Sequence, residues 1–402
     1  MGELAAVSGC RLNFRGFAAA NCTASAADRD ERRVFPPQQW LTSEAMRYIL
    51  SGANLMRRSL SALATAALLF ILACSKSSTP AASTPQTPVA TGTVVRLDPA
   101  IDALVPEDAR VEKVAGGFTF TEGPVWRPGM GLWFSDILGD VVRQWSPNGK
   151  VIEILHPMGF PAEMWGGRGL VGPNAMVADK DGAILLCEHA NRRIVRITSD
   201  MLISVLVDRY QGKRLNSPND LVYRSDGSLY FTDPPYGMPK ENTDPAKELP
   251  FNGVFRLANG KLQVIIKDLS LPNGIAFSPD QKTLYVDNSD PAHKIWMKYD
   301  VAADGTVKNG QLMADGTADP GSGNPDGMKL DSQGNIYSAG PGGLWVFSPA
   351  GKHLGTIKVP EIVSNCAWGD DGKTLYITAR TSVYRIRLSV PGEKVLYQPD
   401  FR

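Results

Sequence analysis

Between residues 122 and 377 the chain repeats one pattern six times: a polar residue, a short apolar run, a glycine- or aspartate-rich turn, then an aromatic or β-branched run. The copies open at Glu122-Gly123-Pro124-Val125-Trp126, Pro173-Asn174-Ala175-Met176-Val177, Pro218-Asn219-Asp220-Leu221-Val222, Pro272-Asn273-Gly274-Ile275-Ala276, Pro325-Asp326-Gly327-Met328 and Ser364-Asn365-Cys366-Ala367-Trp368. Each predicts a β-hairpin, because Asp-Gly turns accept left-handed backbone between two strands. The anchors Glu122, Asn174, Asn219, Asn273, Asp326 and Asn365 recur at a spacing near the ~40–50 residues of one four-stranded blade. Further strand pairs are predicted behind the first three hairpins, at 140–144 with 151–155, 193–197 with 203–207, and 254–257 with 262–266. No amphipathic helix recurs between strands, which argues against βαβ units. The expected fold class is therefore all-β, a six-bladed β-propeller over residues 98–402, since radial packing of blades protects the edges of many short strands. Residues 382–388 are expected to supply a strand that closes the ring.

Upstream of the repeats the pattern changes. Met56-Arg57-Arg58 precedes an apolar run of about 14 residues, 60–73, shorter than the ~20 that span a membrane. It ends in Ile71-Leu72-Ala73-Cys74, which resembles a bacterial lipobox. Residues 56–74 thus read as a lipoprotein-type signal peptide with Cys74 as the lipidated residue, and the protein is expected to be exported to the periplasm or cell envelope. A buried or interfacial helix at 60–73 is the alternative. Residues 75–97, rich in Ser, Thr, Pro and Ala, read as a flexible, disordered tether. Residues 1–55 carry no clear pattern and read as a non-native extension, with translation starting at Met56.

Composition narrows the function classes. Of 402 residues, 43% are hydrophobic and 21% charged, and the formal net charge is +1, so no basic surplus draws the chain to nucleic acid. The expected membrane contact is the lipid anchor alone, and no oligomeric state is implied. None of the five cysteines forms a CxxC pair, and the four histidines are scattered, which disfavours a zinc knuckle or a multi-histidine zinc site. Cys187 and Cys366 fall in separate blades and read as small buried residues rather than a disulfide.

In a propeller the innermost strand of each blade lines the channel, so the six anchors should form a ring at one mouth. All six carry side-chain oxygens. Such a set suits one divalent cation, foremost Ca2+, with Zn2+ or Mg2+ as alternatives. A turn-forming role remains open for each single Asn, above all for Asn174 and Asn365.

The segments Phe120-Thr121-Glu122-Gly123-Pro124-Val125-Trp126, Ser217-Pro218-Asn219-Asp220, Leu271-Pro272-Asn273-Gly274 and Asn324-Pro325-Asp326-Gly327-Met328 resemble the senescence-marker-protein (regucalcin)/gluconolactonase family. Phe231-Thr232-Asp233-Pro234-Pro235-Tyr236-Gly237 and Cys187-Glu188-His189-Ala190-Asn191-Arg192-Arg193 resemble its bacterial gluconolactonase branch. The likeness implies a calcium-bound propeller that opens aldonolactones. It implies Glu122, Asn273 and Asp326 as metal ligands, with Asn219 as a fourth ligand or a substrate contact. Calcium acidifies water weakly, so a carboxylate base is expected, and Asp326 is the candidate because it can touch metal and water together. Asp220 neighbours the ring but should point the other way along its strand. Asn174, His189, Tyr236 and Trp165 are candidates for touching substrate, each with an ordinary structural role as its rival. Glu188 and Asp233 occupy matching positions, which suits a shared structural role. An aryl-ester or organophosphate hydrolase on the same site, or a non-catalytic binding propeller with a structural metal, remain the alternatives.

Overall fold

The computed structural model describes residues 91–159 and 172–398. The expected signal peptide with Cys74, the extension, the tether up to residue 90 and Trp165 lie outside the described residues.

Blade one comprises β3 (Thr121–Arg127), β4 (Gly131–Asp136), β5 (Val141–Trp145) and β6 (Val151–Leu155), following β1 (Thr93–Arg96) and β2 (Glu112–Gly116). Blade two comprises β7 (Pro173–Ala178), β8 (Ile184–Glu188), β9 (Arg193–Ile197) and β10 (Ile203–Val207); a small hairpin, β11 (Arg209–Tyr210) and β12 (Lys213–Arg214), follows it. In blade three run β13 (Leu221–Tyr223), β14 (Leu229–Asp233), β15 (Gly253–Ala258) and β16 (Lys261–Ile266). Blade four is β17 (Pro272–Phe277), β18 (Thr283–Asp290), β19 (His293–Val301) and β20 (Val307–Asp315). Blade five holds β21 (Met328–Leu330), β22 (Ile336–Gly340), β23 (Gly343–Phe347) and β24 (His353–Lys358), and blade six β25 (Val363–Gly369), β26 (Thr374–Ala379) and β27 (Ser382–Arg387). Every blade is an antiparallel meander counted outward from the channel.

Ring closure differs from the sequence expectation. The strand at residues 382–388 is the third of blade six, β27, and the closing strand is β2, which pairs antiparallel with β27 from Glu112↔Arg385 to Gly116↔Ser382. The first and last segments of the ring thus share one sheet, so opening the ring costs a whole ladder of hydrogen bonds. At the end of the stretch read as a tether, β1 adds a fifth strand to blade five by pairing with β24.

The core is divided into six wedges, one between each pair of neighbouring blades. Trp126, Phe134 and Trp145 of blade one meet Tyr376 and Val383 of blade six, and Trp296 of blade four meets Trp345 and Phe347 of blade five. Trp126 stacks on Tyr376 at 5.4 Å and Trp296 on Trp345 at 5.1 Å. Both faces of a blade are covered, which is why β4 and β8 are buried at every position and why their sequences read as continuous apolar runs instead of alternating ones. Cys187 and Cys366 are buried free thiols in these wedges.

Candidate functional site

The anchors begin the innermost strands. Glu122, Asn174 and Asn273 are the second residues of β3, β7 and β17, while Asn219 and Asp326 lie just before β13 and β21. In blades one, two and four the ladder slips at the anchor, between Glu122 and Val125, Pro173 and Met176, and Pro272 and Ile275. Such bulges bend a strand and re-aim a side chain. Close approach between blades also shapes the ring. A Cβ on Gly274 would collide with the carbonyl of Asp326, so the Asn-Gly pair lets the fourth and fifth blades pack at the mouth.

The result is a cavity of about 290 Å³ whose wall includes Glu122, Asn174, Asn219, Asn273, Asp326 and Tyr236. Asn365, the sixth anchor, donates from Nδ2 to Glu122 Oε2 at 3.0 Å. The Glu122 carboxylate also accepts the backbone N–H of Gly123. Burial pushes the Glu122 carboxyl up, and the nearby charge of Asp220 pushes it further. The Asp326 carboxyl is raised by burial and then by Glu122, Asp287 and Asp220. Asp287 is raised by burial as well, although Gly274 N–H donates to it at 2.9 Å. Three buried carboxylates, Glu122, Asp220 and Asp287, and the half-buried Asp326 therefore influence one another, and the ammonium that offsets Glu122 and Asp220 is Lys329.

Two amide oxygens complete the picture. Asn174 Oδ1 and Asn273 Oδ1 are buried without a hydrogen-bond partner. A buried polar atom left unpaired costs about 1–3 kcal/mol, so these oxygens point to something that pairs with them. Among the described residues no three His, Cys, Asp or Glu side chains group as a ligand cluster. From the ring itself, the cavity is lined by two carboxylates, Glu122 and Asp326, and by the amides of Asn174, Asn219 and Asn273.

Other expected residues fall in different places. His189 is fully buried behind Asn174, with its Nε2 2.7 Å from Asn174 Nδ2, and is not on the cavity wall. Its geometry holds the Asn174 amide with the oxygen turned away from the imidazole. Tyr236 stands on the wall, its hydroxyl buried on the side of Ser289. Asp220 turns away from the cavity, as its strand position implied, and comes within 3.9 Å of Lys329 Nζ. Glu188 and Asp233 do share a position, at the ends of β8 and β14. Asp233 accepts the backbone N–H groups of Asn216 and Ser217, both at 2.7 Å, just before the Asn219 anchor; Glu188 pairs with Arg193 at 2.5 Å.

Three nearby residues escaped the sequence reading. Glu241, from the long connection between β14 and β15, reaches the wall with no sequence signal to mark it. Lys329 enters the channel from β21. Asp287 had a signal: the matching second-strand positions hold Ser135, Cys187, Thr232, Ala339 and Thr378, so a carboxylate there stands out.

Residues 120–381 match the SMP-30/Gluconolactonase/LRE-like region. A gluconolactonase of Zymomonas mobilis is 38% identical over 312 residues, covering 75% of this chain and 87% of its own. The solved structure of a Xanthomonas campestris gluconolactonase shares 32% identity at a TM-score of 0.66, covering 76% of this chain and 97% of its own. A calcium-binding regucalcin from Agrobacterium tumefaciens, 19% identical with a TM-score of 0.55 and covering 72% of this chain and 95% of its own, shares the fold. With its repeats, its ring of oxygen-bearing anchors and a match spanning all six blades, the chain belongs to the SMP-30/gluconolactonase/LRE-like family.

Proposed function

We propose that this propeller is a divalent-cation-dependent lactonase that opens a sugar lactone of the gluconolactone type. The observation that carries the reading is the convergence of Glu122, Asn219, Asn273 and Asp326 on one cavity where Asn273 Oδ1 has no partner. Crowded carboxylates and unpaired amide oxygens are what a hard cation relieves, and Ca2+ accepts such a mixed oxygen set, with Zn2+ or Mg2+ as alternatives. Glu122, Asn219, Asn273 and Asp326 would hold it. When bound, the ion supplies positive charge that polarises a carbonyl and offsets a developing oxyanion.

The protein's own groups do the rest. Asp326, a carboxylate on the cavity wall beside the other proposed ligands, is the group placed to accept a proton from water. That water's oxygen bonds to the lactone carbonyl carbon, the ring C–O bond breaks, and the departing ring oxygen takes up a proton. One water is consumed and one hydroxy acid is released. Tyr236 presents its hydroxyl to the substrate, and Asn174, held by His189, presents an amide oxygen to a sugar hydroxyl. The names of the Zymomonas and Xanthomonas relatives support the choice of a sugar lactone.

The test is elemental analysis of the purified protein followed by a lactone panel with and without chelator. Opening of gluconolactone that stops on chelation and returns with Ca2+ supports the reading. Full turnover in metal-free protein, or none on any lactone, overturns it. We also propose export with a lipid on Cys74; mass spectrometry of the mature N-terminus checks this, and an unmodified Cys74 within an intact leader sinks it.

A further inference from the structure

The Asn365 carboxamide is locked from three sides. Its Oδ1 accepts the backbone N–H of Cys366 at 2.8 Å and lies 3.4 Å from Lys329 Nζ. Its body fills the space beside Gly327, where any Cβ would collide with the amide. With Oδ1 committed to two donors, the amide cannot turn over, and Nδ2 must face Glu122. Lys329 is itself held, donating to the carbonyl of Met328 at 3.0 Å and standing 3.9 Å from Asp220 Oδ2.

We propose that Lys329 and Asn365 form a positioning relay beneath the ring, in which the ammonium fixes the amide and the amide fixes which oxygens Glu122 presents to the cavity. Asn365 is then an orienting residue for Glu122 and not a sixth ring donor. Lys329 also keeps Asp220 paired below the ring, so that Glu122 and Asp326 are the carboxylates the cavity sees. A carboxylate that is free to rotate must be ordered when it binds a cation, and that ordering weakens binding. Partners behind a ligand typically matter about 10–100-fold in metal affinity.

The relay rests on the cation reading of the site, and the experiment separates the two. Ca2+ binding is measured by isothermal titration calorimetry for the wild type, Asn365→Asp, Lys329→Met, Glu122→Gln and the double variant Glu122→Gln/Asn365→Asp. Asn365→Asp removes the donor to Glu122 and should weaken Ca2+ by at least about tenfold. Lys329→Met should weaken it in the same direction. The double variant reverses the polarity of the same hydrogen bond, with an amide N–H on the first side chain donating to a carboxylate on the second, and should recover affinity relative to either single change. A merely structural role for Asn365 gives no such recovery. Circular dichroism and melting of each metal-free variant keep loss of fold apart from loss of affinity, and Lys329→Arg supplies a milder variant if Lys329→Met does not fold. If the wild type binds Ca2+ and the single variants bind equally well, or the double variant is no better than they are, the relay is wrong while the site reading stands. If the wild type binds no divalent cation, both fall.

Discussion

The Thr232 hydroxyl of blade three donates across the blade boundary to the main-chain carbonyl of Asn273 in blade four, at 2.7 Å. Ser135 does the same for Asn174 at 2.6 Å, and Ser364 reaches the carbonyl of Thr121, next to Glu122, at 2.7 Å. Small hydroxyl residues thus staple one blade to the anchor strand of the next.

Thr232→Val keeps the shape but strands the Asn273 carbonyl and the Asp220 N–H that Thr232 accepts at 3.1 Å. The expected loss is about 1–3 kcal/mol of stability by denaturant titration, with weaker Ca2+ binding because the Asn273 anchor shifts. An unchanged midpoint would show that the staple contributes nothing to holding the blades together.

Asp326→Asn preserves an oxygen on the cavity wall but removes the proton acceptor. The expected outcome is a kcat lowered by about 10²–10⁴-fold, with cation binding retained but weakened. A variant that keeps both the cation and full turnover shows that another group takes the proton.

Tyr236→Phe deletes only the hydroxyl. A hydrogen bond made to substrate is worth about 0.5–1.5 kcal/mol, so KM should rise severalfold while folding stability changes by no more than about 1 kcal/mol. Loss of stability with unchanged KM would assign Tyr236 to packing.

Cation binding to the folded state alone stabilises it by mass action, about 2.7 kcal/mol at a free concentration one hundred times Kd. Adding Ca2+ to chelator-treated protein should therefore raise Tm in a concentration-dependent way, and Glu122→Gln should blunt the shift. A Tm indifferent to Ca2+ counts against the proposed site.

His353 lies flat on Trp345, with ring centroids 4.0 Å apart, and burial holds its pKa below the ordinary 6.5. As pH falls, the unfolded chain takes up this proton before the folded one does. The contribution is fully present above about 6.5 and is lost as pH drops toward the folded value. Between about pH 7.5 and 5.5 the denaturant midpoint of the wild type should therefore lose ground relative to that of His353→Phe; identical pH profiles for the two proteins would refute the assignment.

The blades and anchors were legible because the repeat writes the same local instruction six times: a turn, a strand start and a polar residue at a fixed offset. The paired strands 193–197 with 203–207 appear in the structure with those bounds, as β9 and β10, since hairpin pairing is decided by neighbours in the chain. His189 could not be placed in this way. Its position behind Asn174 depends on how two strands of one blade bulge, and a lone histidine carries no directional signal.

What the sequence determined by itself was therefore periodic: six blades, their inner strands, and an oxygen-bearing anchor at the start of each. Tertiary structure alone decided that β2 closes the ring, that Glu241 reaches the cavity, and that Lys329 and Asn365 stand behind Glu122. These features join residues far apart in the chain, as Ser364 joins Thr121. Local pattern encodes the direction of a strand, whereas which distant side chains meet at the channel is settled only when six wedges of core pack against one another.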